Sequence, residues 1–148
     1  MSVKSVKIPA KRLEESLDLP KYAYPGDAGF DLMSAEALKL APGERKVVKC
    51  GFSMAIPEGF AGLVIPRSGL AAKYGISVAN APGLVDSGYR GEISVILLNT
   101  NNKDSFDISI GDRIAQMMIV PFANAELIES DTLDTTERSE KGFGSSGR

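Results

Sequence analysis

Histidine is absent from the 148 residues, and cysteine occurs once. Without histidine there can be no Ser-His-Asp or Cys-His nucleophile system and no histidine-ligated metal site, so any hydrolysis must rely on a carboxylate base. The single cysteine, Cys50, excludes an intrachain disulfide and a multi-cysteine zinc site. It fits a reducing compartment and otherwise reads as a small buried apolar residue. A dominant charge of one sign is also missing: Lys and Arg total 17 against 19 Asp and Glu, a net charge of −2. A broad polyanion-binding surface, and with it a direct nucleic-acid partner, is therefore not expected, and any cations that bind phosphate must be local. No apolar run reaches the roughly 18 residues of a membrane span, and the opening MSVKSVKIPAKRLEE lacks the apolar stretch of a signal peptide. These absences predict no membrane association and a cytoplasmic location, with organellar or nuclear location left open.

What is present reads as strands and turns. Apolar residues alternate or run in short blocks at Val3–Ile8, Lys46–Lys49 and Ala61–Ile65. Turn signals recur at Pro25-Gly26-Asp27, Ala41-Pro42-Gly43-Glu44, Pro57-Glu58-Gly59, Ala81-Pro82-Gly83 and Ile110-Gly111-Asp112. Many short strands at this spacing predict an all-β sandwich or closed barrel. One short helix is expected over Ser68–Tyr74, with Ser68 capping it and Gly75 ending it. The length fits one domain, 1–130. From Glu129 the chain is polar, and 131–148 is expected to be a flexible C-terminal arm.

Three segments could carry chemistry, and each alone admits a plain structural reading. Arg67-Ser68-Gly69 opens the expected helix, where free amides favour an anion, or is simply an ordinary helix start. Asp86 lies in the glycine-rich stretch Gly83–Gly91 between the apolar runs Ile76–Ala79 and Ile93–Leu98; it is a candidate base or a turn residue. Arg138–Gly147, RSEKGFGSSG, sets two cations beside glycines and serines that could surround a phosphate, or is disordered. Phe143 has little reason to sit in a soluble tail unless it docks.

Together, five segments stand in the order of the motifs of the dUTP pyrophosphatase (dUTPase) family, and the chain resembles that family over nearly its whole length. The segments are GDAGFDL (Gly26–Leu32), PRSGLAAKYGI (Pro66–Ile76), GLVDSGYRGEI (Gly83–Ile93), GDRIAQMMIVP (Gly111–Pro121) and the tail Arg138–Gly147. Two departures fall in the last motif, where Lys141 replaces a usual glycine and Ser146 a more common threonine. Neither removes a charge or a donor, so they bear on tail closure rather than on chemistry.

The resemblance implies a jelly-roll-like, distorted β-barrel forming homotrimers, with active sites shared between chains and the arm closing over them. It implies Mg²⁺-assisted hydrolysis of dUTP to dUMP and pyrophosphate, which limits uracil in DNA and supplies dUMP for thymidylate synthesis. Asp86 matches the general base that activates the attacking water, and Tyr89 the ring that packs on deoxyribose. Asn80, Gly83, Leu84 and Val85 fall in the uracil slot, a hairpin from about Asn80 to Ser94 that reads the base through its main chain. Arg67, Ser68, Gly69 and Gln116 match phosphate-binding residues. In the arm, Arg138 matches the γ-phosphate arginine, Phe143 the aromatic over uracil, and Gly144-Ser145-Ser146 the phosphate-wrapping turn. No direct protein ligand for Mg²⁺ is implied; Asp31 either positions a metal-bound water or forms a structural ion pair. A dCTP deaminase, a nucleotide-binding regulator and a β-rich structural module are the competing readings.

Overall fold

The computed structural model describes residues 5–147. It contains eleven short strands and one helix. The strands are β1 (Ala10–Arg12), β2 (Gly29–Met33), β3 (Leu38–Leu40), β4 (Arg45–Lys49), β5 (Phe52–Met54), β6 (Phe60–Ile65), β7 (Ile76–Val78), β8 (Gly83–Val85), β9 (Ser94–Asn99), β10 (Phe106–Ile108) and β11 (Arg113–Pro121), with α1 at Ser68–Tyr74. The fold is all-β, as the alternation predicts. A four-stranded sheet runs β2-β11-β6-β8 and a three-stranded sheet β4-β9-β7, flanked by the pairs β1-β5 and β3-β10. All pairings are antiparallel.

Period-2 alternation sends one face of each large sheet into a common core. Leu32, Val64, Ala115 and Met117 come from the first sheet, and Val48, Val95, Leu97, Ile76 and Val78 from the second. Each such Val, Leu or Ile, once fully buried, contributes about 1.5–3 kcal/mol. Asn99 and Ser34 are the polar side chains buried with them among the described residues, and Asn99 carries the longer-range bonds. Its amide donates to the carbonyls of Leu40 and Asp104 and accepts from the Asn101 N–H, which ties β9 to the β3 and β10 loops.

The turns follow their sequence signals. In Ala41–Glu44 and Ser109–Asp112, glycine takes the positive φ (73° and 90°) required at the third position. The carboxylate of the fourth residue then accepts the N–H of the first, at 2.7 Å for Glu44 and 2.8 Å for Asp112.

Three details differ from the sequence reading. Residues 5–8 carry no strand, and the rest of the Val3–Ile8 block lies outside the described residues; Pro9, which has no N–H to donate, delays pairing until Ala10. The helix has the expected span and ends on Gly75 at φ 68°, but its N-cap is Arg67, in extended conformation and with no side-chain cap. Ser68 is already helical and its hydroxyl does not close the first turn. Regular structure ends at Pro121, and every described residue beyond it is exposed. No helix among the described residues is long and apolar enough to cross a membrane.

Candidate active site

β6 organises the site because it lies between β11 and β8 in the larger sheet. On β11, Gln116 stands opposite Ile65 of β6 and Asp31 of β2. Its Nε2 donates to the carbonyl of Pro66 at 3.0 Å, just past the end of β6. A Cβ at Gly29 would come within 3.0 Å of Gln116 Oε1, so a glycine there leaves the amide its room.

Arg67 follows directly. Its Nε lies 3.0 Å from Asp31 Oδ1, and its Nη1 donates to the carbonyl of Arg113 at 3.1 Å. The second oxygen of Asp31 lies 3.8 Å from Nε of Arg113, a looser ion pair. One carboxylate thus stands between two guanidinium groups, beside the exposed Ser68 and Gly69. Partial exposure keeps such pairs to about 1 kcal/mol or less in stability, so their effect is to orient the arginines. A cleft of about 430 Å³ opens here, lined by Arg67, Leu70, Tyr74, Phe106 and Arg113. Among the described residues no three His, Cys, Asp or Glu side chains gather as a metal cage.

The second grouping lies between β7 and β9. These strands do pair, but their connection is not the single tight hairpin expected from the sequence. It carries β8 across to the other sheet, where Gly83, Leu84 and Val85 register against Val64, Leu63 and Gly62 of β6. Gly62 lies at this crossing, where a Cβ would come within 3.0 Å of Met117 Sδ, 3.3 Å of Ile56 Cδ1 and 3.4 Å of Val85 Cβ. The side chain of Asn80 folds against Gly83, near enough that a Cβ would meet its Nδ2 at 3.1 Å. Leu84 is 63% exposed.

Beyond β8, Asp86 is exposed, and its carbonyl accepts the N–H of Tyr89 at 3.1 Å. Among the described residues, no hydrogen bond or ion pair engages its carboxylate. Arg90 Nη1 donates to the carbonyls of Ser87 (2.6 Å) and Tyr89 (3.0 Å), clipping the loop. The hydroxyl of Tyr89 donates to the Glu92 carbonyl at 3.0 Å.

By strand register, these two groupings fall at opposite ends of β6. Asp86 follows Val85, which is opposite Gly62, and so stands level with Ala61, while Arg67 lies beyond the other end of β6. At about 3.3 Å per residue, Ala61 to Arg67 spans roughly 20 Å. The tail joins neither grouping. Arg138 Nε donates to the Lys141 carbonyl, Ser145 N–H bonds to the Gly142 carbonyl around Phe143 and Gly144, and Ser146 and the whole Phe143 ring are exposed.

Sequence reasoning singled out Arg67 and Asp31 but passed over Arg113 and Arg90, although both stand inside quoted motifs. An arginine within a motif otherwise made of glycine, aspartate and apolar residues was the available signal.

A family model described as dUTPase matches residues 15–147. The deoxyuridine 5'-triphosphate nucleotidohydrolase of Leifsonia xyli subsp. xyli is 56% identical over 129 residues, covering 87% of this chain and 85% of the relative. That of Thermobifida fusca is 50% identical over 143 residues, covering 97% and 80%. Among solved structures, the dUTPase of Staphylococcus bacteriophage 80alpha with dUpNHpp superposes with a TM-score of 0.89 at 32% identity, covering 97% of this chain and 100% of the other. A mutant dUTPase from phage phi11 of S. aureus, described with a structural Mg(II) ion, does so with a TM-score of 0.80 at 27% identity, covering 86% and 98%. The motif order, the fold and these relatives agree, and the chain belongs to the dUTPase family of dUTP-hydrolysing enzymes.

Proposed function

We propose that this dUTP diphosphatase works by attack of an Asp86-activated water on the α-phosphate, releasing dUMP and pyrophosphate. The observation that carries this reading is the Asp86 carboxylate, which is exposed and without a partner among the described residues. A general base must be free to accept a proton within about 2.6–3.2 Å of the water.

Uracil is read by main chain. β8 is an edge strand, paired to β6 on one side only, so the other side of Gly83–Val85 presents unpaired N–H and C=O groups. Asn80 closes the near end of this slot. Cytosine would place a donor where uracil has an acceptor and leave buried groups unpaired. Tyr89 packs on the deoxyribose, where a ribose 2′-hydroxyl would find neither room nor a partner.

Arg67, Ser68, Gly69 and Gln116 hold the phosphates of a substrate whose base rests on a neighbouring chain. The roughly 20 Å between Arg67 and Asp86 supports sites assembled across a homotrimer, since one phosphate chain cannot bridge that gap within one subunit. The C-terminal arm, with Arg138, Phe143, Gly144, Ser145 and Ser146, then closes over the nucleotide and excludes water. Exposure of Leu127, Ile128 and Leu133 at 83% or more gives this segment apolar surface to dock on another chain.

The residues present fit Mg²⁺ held chiefly by substrate phosphates and water, because, of the carboxylates at the phosphate grouping, Asp31 is already shared by two arginines and Asp112 accepts the Ser109 N–H. When bound, the ion supplies neutralisation of charge on the leaving pyrophosphate. Asp31 itself orients Arg67.

The test is to incubate the protein with Mg²⁺ and, separately, dUTP, UTP, dCTP and dTTP, following pyrophosphate and nucleoside monophosphate. dUMP and pyrophosphate from dUTP alone are expected. Ammonia from dCTP would identify a deaminase, and binding of dUTP without turnover would identify a regulator.

A further inference from the structure

We infer that Gly91 sets sugar selectivity by forming the seat on which the Tyr89 ring lies. This rests on the proposed contact between Tyr89 and the deoxyribose. A Cβ built at Gly91 would collide with the Tyr89 hydroxyl oxygen, would lie 2.6 Å from Cζ and 3.0 Å from Cε2, and meets nothing nearer. The ring therefore covers Gly91 closely and is held there by its hydroxyl bond to the Glu92 carbonyl. About half of the side chain, 47%, remains exposed and free to take a sugar.

The main chain beneath this seat is fixed on both sides. Arg90 binds the carbonyls of Ser87 and Tyr89, and the Ile93 N–H bonds to the Phe52 carbonyl. Gly91 has no positive φ, so alanine is conformationally acceptable there. The three nearest atoms in its way belong to the far end of one side chain, so in Gly91→Ala the ring gives way and the fold does not. A ring tilted off this seat no longer packs flat against the sugar, and the fit that refuses a ribose hydroxyl is lost.

Gly88 supplies the control. It lies in the same loop, has no positive φ, and a Cβ there meets nothing within 4 Å.

The experiment measures the ratio of kcat/KM for dUTP to that for UTP in the intact protein, in Gly91→Ala, in Gly88→Ala, in Tyr89→Ala and in the Tyr89→Ala/Gly91→Ala double variant. Gly91→Ala is expected to lower the ratio roughly tenfold, within the range that an unpaired buried hydroxyl commands. Gly88→Ala should leave it within about twofold, and Gly91→Ala should add nothing once Tyr89 is alanine, because the two then act through one ring. An unchanged ratio in Gly91→Ala, or an equal fall in the Tyr89→Ala background, would overturn the inference. The double variant contains no collision, so it reports even where the single variant is poorly folded. If the intact protein hydrolyses UTP as readily as dUTP, or Tyr89→Ala leaves the ratio unchanged, the Tyr89 contact itself is wrong and the inference goes with it.

Discussion

Arg67→Ala and Asp86→Asn, each inactive alone, should restore activity to one another when their subunits are mixed. Register puts Asp86 level with Ala61, while Arg67 lies past the opposite end of β6. The separation, roughly 20 Å at about 3.3 Å per residue, is too long for both residues to serve one α-phosphate from a single chain. If each site takes Arg67 from one subunit and Asp86 from its neighbour in a closed ring, random assembly of equal amounts leaves about one site in four with both residues intact. Co-expression with two distinguishable tags, purification of mixed oligomers through both tags, and a pyrophosphate-release assay with dUTP measure this. Dual-tag purification removes the unmixed trimers and leaves one complete site in every three, so about a third of wild-type turnover per chain is expected, against a background set by each variant alone. Mixed oligomers no more active than the separate variants would refute the reasoning, since that result requires both residues to act from the same chain.

The remaining predictions concern the base, the core and the thiol. Asp86→Asn should lower turnover by about 10²- to 10⁴-fold while dUTP affinity, measured by calorimetry, is kept; near-normal turnover would remove Asp86 from the mechanism. Asn99→Ala strips partners from the buried Leu40 carbonyl, at about 1–3 kcal/mol, and from the half-buried Asp104 carbonyl and Asn101 N–H, at about 0.5–1.5 kcal/mol each. Urea unfolding should therefore show a loss of about 3 kcal/mol, and a loss under about 1 kcal/mol would mean that water replaces these bonds. Burial pushes the Cys50 thiol from 9.0 up to about 12, helped by the charges of Glu92 and Glu36. Above pH 9 the unfolded chain ionises this thiol while the folded chain keeps it protonated, so stability should decline from pH 9 toward 12 by an amount of order 4 kcal/mol. Chemical unfolding across that range should show the same slope in Cys50→Ala only if the thiol is not its cause.

The local and periodic features of the protein were legible in the sequence. Alternation in Lys46–Lys49 and Ala61–Ile65 marks β4 and β6 because a strand facing one core must repeat every two residues. Gly75 ends the helix, and the Pro-Gly and Gly-Asp pairs make their turns, because these depend on the φ of one or two residues. The absence of histidine restricted the base to a carboxylate, and motif order led to Asp86, Arg67 and Gln116. Pairing partners were not legible. The stretch Asn80–Ser94 reads as one hairpin, yet β8 leaves it to pair with β6, a strand distant in sequence. Likewise, the clasp of Asp31 on Arg67 and Arg113 joins the middle of β2, the chain just past β6 and the start of β11, which only sheet formation brings together. The sequence names the residues of the phosphate and base groupings, because side-chain chemistry is local. Their separation to opposite ends of β6 comes from antiparallel register, a long-range property that no window of sequence contains.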